Sequence, residues 1–262
     1  MPVGRSNAGV FRLTGGVCFV GGEDRHKTIM SHPVRLEDGG SWGEGVVVPG
    51  QSRTGARCAT LNGRTYLMGG ISPDEGYTPS VERFNPENKR WVPVKSMESA
   101  RFSFGCTELD GFVYVCGGFD GEKDLKQSEF FMPDANEWTM IAPMNVARSG
   151  CQTVAAEGKL YTLGGWNGSE IVSSCEVYDP RSNRWSMIEP MNRPRHGLEV
   201  VVIGNVIYAI GGWNGKKQQS SVERYHTRAG IWEPVAPMSV GRWLTTAISI
   251  PVEGAGGDVN ND

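Results

Sequence analysis

Tyr161-Thr162-Leu163-Gly164-Gly165-Trp166-Asn167-Gly168, followed by Glu176-Val177-Tyr178-Asp179-Pro180, Trp185 and Pro190-Met191, is one copy of a frame that recurs along the whole chain. Double glycines stand at Gly21-Gly22, Gly69-Gly70, Gly117-Gly118, Gly164-Gly165 and Gly211-Gly212, at spacings of 48, 48, 47 and 47 residues. Tryptophans follow at Trp42, Trp91, Trp138, Trp185 and Trp232, the last four 47 apart. Met97, Met144, Met191 and Met238 are each followed four residues later by an arginine (Arg101, Arg148, Arg195, Arg242), with Arg5 and Arg53 in register at the start. Landmarks that stay in phase over five periods describe a repeat architecture, and that period takes precedence over any local secondary-structure assignment.

Each period divides into four short strands. The first runs from the arginine into an apolar alternation and ends at a glycine-bearing pair: Asn62-Gly63, Asp110-Gly111, Glu157-Gly158 or Gly204-Asn205. Such pairs tolerate positive φ and suit two-residue hairpin loops. The second strand ends in the double glycine, as in Tyr114-Val115-Cys116. The third carries Glu176-Val177-Tyr178 or its equivalents and stops at Asp179-Pro180 or Asn85-Pro86, and the fourth holds the tryptophan. No segment keeps a helical period. Four strands per period, repeated, predict an all-β fold, a β-propeller of five recognisable four-stranded blades.

The 262 residues are enough to bury a substantial core, and 36 glycines suit a turn-rich chain. A net charge of −3 argues against a nucleic-acid footprint. No apolar run approaches the roughly 18 residues of a membrane span, and the first residues do not read as a signal peptide. The six cysteines show no CxxC spacing, so reduced thiols in a cytoplasmic protein are expected.

The order of double glycine, Tyr/Phe-Asp/Asn-Pro, tryptophan, Pro-Met and arginine resembles the Kelch repeat, and Phe119-Asp120-Gly121, Trp166-Asn167-Gly168 and Val222-Glu223-Arg224-Tyr225 resemble the Kelch-like substrate adaptors in particular. The resemblance spans residues 5–250, as repeats 5–52, 53–100, 101–147, 148–194 and 195–241 with a further strand at 242–250. In that family the propeller follows BTB and BACK domains, which engage a cullin and make the protein the substrate-recruiting arm of a ubiquitin ligase. Neither domain is expected in this chain, so a cullin partner is implied only through domains outside it, and the sequence is expected to be a fragment or isoform of such an adaptor.

The first repeat departs from the pattern, with Leu36-Glu37 for Asp-Pro, Pro49-Gly50 where others have methionine and Cys18 at the tyrosine place, and is expected to be the least regular. The segment Met1-Pro2-Val3-Gly4-Arg5 aligns with Met238-Ser239-Val240-Gly241-Arg242, which leaves five full repeats and one extra strand. Either five blades close with a strand to spare, or residues 242–250 belong to a sixth blade; the second is preferred. Residues 251–262, rich in Gly, Asp and Asn, are expected to be a disordered tail.

Repetition separates scaffold from recognition. Positions alike in every copy serve every blade: the double glycine for close backbone approach, the tryptophan for apolar area, and the recurring arginine with Glu82, Glu129, Glu176 and Glu223 as a structural pairing rather than a charged ring. Positions that vary between constant neighbours are candidates for binding. After the arginine stand Ser6, Thr54, Phe102, Ser149, His196 and Trp243; after the double glycine stand Glu23, Ile71, Phe119, Trp166 and Trp213. The resemblance places both series at the propeller mouth, so Phe102, Phe119, Ser149, Trp166, His196, Trp213 and Trp243 are the candidate partner-binding residues. Aromatic side chains with a polar edge are frequent interface hot spots, and the implied partner is a protein substrate or peptide with apolar or aromatic anchors.

Catalytic chemistry is sparse. The histidines His26, His32, His196 and His226 form no HxH or HExxH pattern, and no Walker or GxSxG motif occurs, so neither metal nor cofactor is expected and an enzyme is disfavoured. Two other classes stay open: an actin-associated Kelch scaffold, and a propeller enzyme with active groups at its mouth.

Overall fold

The computed structural model describes residues 4–13, 15–30, 33–45, 53–88, 90–245 and 247. Among these residues there is no helix, and the strands form five four-stranded antiparallel sheets and one two-stranded ribbon. Blade 1 contains Gly9–Leu13, Gly16–Val20, Val34–Glu37 and Trp42–Glu44; blade 2 contains Arg57–Leu61, Arg64–Met68, Val81–Asn85 and Arg90–Val94. Blade 3 contains Gly105–Leu109, Phe112–Cys116, Ser128–Met132 and Glu137–Ile141. Blade 4 contains Gln152–Ala156, Lys159–Leu163, Cys175–Asp179 and Arg184–Ile188, and blade 5 contains Glu199–Ile203, Val206–Ile210, Val222–His226 and Ile231–Val235. The ribbon, Ile71–Ser72 with Gly76–Tyr77, is an addition in the loop of blade 2. The initial Met1-Pro2-Val3, His32, Pro49-Gly50, the proposed extra strand beyond residue 247 and the tail 251–262 lie outside the described residues.

The hairpin pairs behave as their composition requires. Both residues take positive φ in Asn62-Gly63 (50° and 72°), Asp110-Gly111 (50° and 85°) and Glu157-Gly158 (49° and 70°), the signature of a type I′ loop. In Gly204-Asn205 only the glycine does (59°), as in a Gly-first II′ loop. Between blades the core is aromatic and sulfur-rich. Tyr66 of blade 2 packs on Phe131 of blade 3 with centroids 5.5 Å apart, Tyr114 on Tyr178 of blade 4 at 6.4 Å, and Tyr161 on Tyr225 of blade 5 at 6.2 Å. The indole N–H groups of Trp138, Trp185 and Trp232 each donate at 2.9 Å to a carbonyl of the preceding repeat (Lys95, Ala142 and Glu189).

The repeated arginine is the clamp. Arg148 is fully buried; its guanidinium donates to the carbonyls of Gly164 and Ser174, both at 2.8 Å, and to Glu176 at 3.0 Å. Glu176 in turn accepts from the N–H groups of Asn145 (2.7 Å) and Val146 (3.0 Å) in the crossover from blade 3. The Arg148 carbonyl accepts from Gly118 N–H of blade 3 at 2.7 Å. Arg101 with Glu129 and Arg195 with Glu223 repeat this geometry, and burial holds the Arg195 guanidinium below its ordinary pKa, with Glu223 opposing. Each arginine therefore ties its own blade together with its side chain and the preceding blade with its main chain. The double glycine must be side-chain-free here: a Cβ on Gly164 would lie 2.5 Å from the Arg195 carbonyl oxygen. In blade 1 Val34 occupies the glutamate position, opposite Phe19 as Glu82 is opposite Leu67.

A circle of main-chain hydrogen bonds also links the repeats. Gly55 N–H donates to the Asn7 carbonyl (3.0 Å), Ser103 to Gly55 (3.1 Å), Gly150 to Ser103 (2.7 Å), Gly197 to Gly150 (2.8 Å), Leu244 to Gly197 (2.9 Å) and Asn7 to Leu244 (3.2 Å). All six residues have positive φ, between 49° and 67°. The circle thus has six members, five leading into a four-stranded blade and the sixth formed by residues 242–245.

Replacing one buried clamp should be far more damaging than replacing the exposed copy at the end of the series. Arg148→Ala strands the Glu176 carboxylate and should lower unfolding free energy by about 3–5 kcal/mol, whereas Arg242→Ala should change it by less than about 0.5 kcal/mol, as measured by urea unfolding.

Candidate functional site

The two variable series meet in pairs. Phe102 and Phe119 exchange main-chain N–H···O bonds of 2.9 Å in both directions, Ser149 and Trp166 exchange bonds of 3.0 and 2.8 Å, and His196 and Trp213 bonds of 2.9 and 2.8 Å. Ser6 with Glu23 and Thr54 with Ile71 are the matching pairs of blades 1 and 2. Each first-series residue directly precedes a member of the hydrogen-bond circle, so the pairs encircle one mouth. The loops that follow turn on a short polar side chain: Asp120 Oδ1 accepts from the N–H groups of Glu122 and Lys123, both at 2.8 Å, and Asn167 Oδ1 from Ser169 and Glu170 at 2.9 Å.

The aromatic residues form two clusters. His196, Trp213 and Trp243 group together, with Trp243 5.7 Å from Trp213 and 6.2 Å from His196. Phe102 and Phe119 both face Tyr77, at 6.2 and 5.5 Å. Trp166 is 37% exposed, the most open tryptophan of the mouth. Burial lowers the His196 pKa and Asp124 opposes the shift, which favours a neutral ring at physiological pH.

Two of the sequence-selected residues do more packing than presenting. The Phe102 ring lies directly over Gly55 of the preceding blade, and the His196 ring over Gly150. Ser149 is buried, and its link to the mouth is the main-chain pairing with Trp166. Tyr77, 39% exposed, was not selected. Its signal was a length difference: Gly70 to Val81 is one residue longer than Gly118 to Ser128, and the ribbon that carries Tyr77 uses that length.

Behind the mouth the innermost strands enclose a channel with a cavity of about 500 Å³, lined from all five blades and by Ala247. An ion pair crosses it between non-adjacent blades: Arg57 to Glu199 at 3.5 Å, with Gln152 donating to the other Glu199 oxygen at 3.1 Å. Burial raises the Glu199 pKa despite Arg57. Cys58 and Cys106 also line the channel, and burial raises both thiols, Cys106 to about 12. All six cysteines are free, and such thiols are poor nucleophiles at neutral pH. Among the described residues no three His, Cys, Asp or Glu side chains gather as a metal site.

Residues 55–243 match the family described as the KLHDC2/KLHL20/DRC7 Kelch-repeats domain. The chain is similar to human Kelch-like protein 33, with 31% identity over 121 residues covering 45% of this chain and 22% of that protein. It is also similar to Kelch-like protein 22 of Xenopus tropicalis, with 33% identity over 73 residues covering 27% of this chain and 11% of that protein. The chain thus spans less than a quarter of either relative. Among solved structures it resembles YjhT, with a TM-score of 0.78 and 19% identity over 93% of this chain and 87% of that one.

Two outcomes test this site. A glutamate whose folded pKa is raised favours folding most below its ordinary value near 4.5, and this contribution is lost as pH rises through the folded value. The stability of the wild type relative to Glu199→Gln should therefore fall as pH rises above 4.5 in urea titrations; a constant difference would refute the shift. At the mouth, Trp166→Ala should leave unfolding free energy within about 0.5 kcal/mol. Trp243→Ala, which strips the ring from Trp213 and His196, should cost about 0.5–1.5 kcal/mol per lost ring pair beyond its area.

Proposed function

The chain belongs to the Kelch-repeat family, and we propose that its mouth recognises a protein substrate through a peptide or loop with apolar or aromatic anchors, as the substrate-receptor part of a ubiquitin-ligase adaptor. The single observation that carries this reading is the arrangement of variable aromatic side chains on invariant main-chain pairs around one mouth, with Trp166 open to solvent. Such a surface offers large rigid contact area with little conformational entropy to lose. The similarity to Kelch-like proteins supports the adaptor role, with cullin engagement assigned to domains outside this chain. Recognition of a strongly acidic motif is disfavoured, since the aromatic pairs rather than arginines dominate the two series.

Affinity purification with quantitative mass spectrometry tests it. Proteins captured by the wild type should fall at least about tenfold with Trp166→Ala/Trp213→Ala/Trp243→Ala, while a folded melting transition persists. Equal capture by the folded triple variant would overturn the assignment of the mouth.

A further inference from the structure

The mouth is not uniform in charge. Its loops run from the double glycine of each blade to the third strand. In blade 5 this loop carries Lys216 and Lys217 and no acidic residue; in blade 2 it carries Asp74 and Glu75 and no basic one. All four side chains are exposed. The corresponding loops of blades 1, 3 and 4 each hold at least one carboxylate, and in blade 1 Lys27 is spent on Glu23 at 2.6 Å. Blade 5 is thus the one sector whose loop has an excess of cations, and blade 2 the most acidic.

The circle of main-chain bonds sets these two loops opposite each other. Gly55 holds the blade 2 place and Gly197 the blade 5 place, and three bonds separate them in either direction, through Ser103 and Gly150 or through Asn7 and Leu244. Thr54 and His196, immediately before them, pair with Ile71 and Trp213 at the start of the two loops. Each charged edge also adjoins an aromatic cluster. Tyr77, two residues after Glu75, meets Phe102 and Phe119, while Trp213, three residues before Lys216, meets Trp243. Around Lys217 the basic edge opens into a hollow of about 520 Å³, which Arg193 lines as well; Arg193 is exposed and stands where the preceding repeat has Val146. On the acidic side Asp124, bridged to Phe119, keeps Oδ1 shielded from solvent with no hydrogen-bond donor among the described residues.

We propose that the segment taken at this mouth is of mixed charge and lies across it from blade 2 to blade 5, with a lysine or arginine at the blade 2 loop, an apolar or aromatic anchor at the centre, and an aspartate or glutamate at the blade 5 loop. This rests on the mouth being the substrate site. A cation drawn to Asp74 and Glu75 also meets the 39%-exposed ring of Tyr77, whose face attracts it. A carboxylate at the other edge meets the ammonium groups of Lys216 and Lys217 and the guanidinium of Arg193. Opposite charges at opposite edges decide which end of the segment lies where, because the reversed placement sets like charges together at both ends. A uniformly acidic or uniformly basic segment loses at one edge what it gains at the other.

The test selects random dodecapeptides displayed on phage against the full chain and titrates the enriched peptides by fluorescence anisotropy. Enriched peptides should hold an aromatic or large apolar residue between a basic and an acidic one. Lys216→Glu/Lys217→Glu should weaken such a peptide at least about tenfold, and exchanging the peptide's acidic residue for lysine should recover most of that loss. Asp74→Lys/Glu75→Lys should do the same, with recovery when the peptide's basic residue becomes glutamate. Recovery by the complementary peptide also shows that each variant is folded; a loss that it does not recover would overturn the proposal. Peptides that need Trp166, Trp213 and Trp243 but are indifferent to both charge exchanges would overturn the mixed-charge segment and leave the substrate site standing. Peptides bound equally well by Trp166→Ala/Trp213→Ala/Trp243→Ala, or a library from which nothing is enriched, would overturn both.

Discussion

The buried arginine–glutamate pair is the constraint on which the other features rest. A guanidinium taken wholly out of water is tolerable only when all its donors are satisfied. Here two carbonyls and a carboxylate do this, and they come from fixed places in the same blade: the end of the second strand, the entry to the third, and the third strand itself. The carboxylate's remaining capacity is spent on N–H groups of the crossover from the blade before. Blade 2 absorbs one extra residue before its glutamate, Arg53 to Glu82 being 29 residues where the other pairs are 28, but the glutamate still has to arrive opposite the arginine or a buried charge is left unmatched. The even period of the sequence is the linear record of this requirement, and the glycines are its steric condition.

The same economy explains why the mouth can vary. Phe102–Phe119, Ser149–Trp166 and His196–Trp213 are joined through main-chain atoms, so the pairing is indifferent to the side chains it presents. One limit applies: the residue after each first-series position has positive φ, and where it is glycine a ring from the next blade can occupy the space a Cβ would need, as Phe102 does at Gly55. Aromatic residues at the mouth therefore serve both the seam between blades and the surface above it, and only Trp166 stands clear of a neighbouring ring.

How much of this was legible in the sequence depended on whether the contact obeyed the period. The double glycines, the hairpin pairs and the arginine–glutamate pairing recur, so comparing copies exposed them without any alignment. The family resemblance put both variable series at one mouth, and their residue-by-residue pairing through main-chain bonds came with the structure. What stayed hidden is which side chains meet at the places the period leaves free. Arg57 and Glu199 lie 142 residues apart at the same place in their repeats, four residues after Arg53 and Arg195, and the period does not say which side chains at that variable place meet across the channel. Ser149 is the small member of a variable series at the mouth, and its burial is not readable from that place in the repeat. Tyr77 rides on an extra residue that the loops of repeats 1 and 2 share, and only the ribbon shows what that length does in blade 2.

The circle of backbone bonds also bears on the order in which the molecule assembles. Five of its six bonds join residues 47 or 48 positions apart, and each can form as soon as two consecutive repeats exist. The sixth, from Asn7 to Leu244, spans 244 − 7 = 237 positions. Closing that longer loop costs only about 1.4 kcal/mol more entropy than closing one of the short ones, because the penalty grows with the logarithm of length. It is nevertheless the last contact available to a growing chain, and at 3.2 Å it is the longest of the six. A strip of blades folded in sequence would thus become a circle through a single late bond, and the seam between the first and final repeats is where that circle would first come apart.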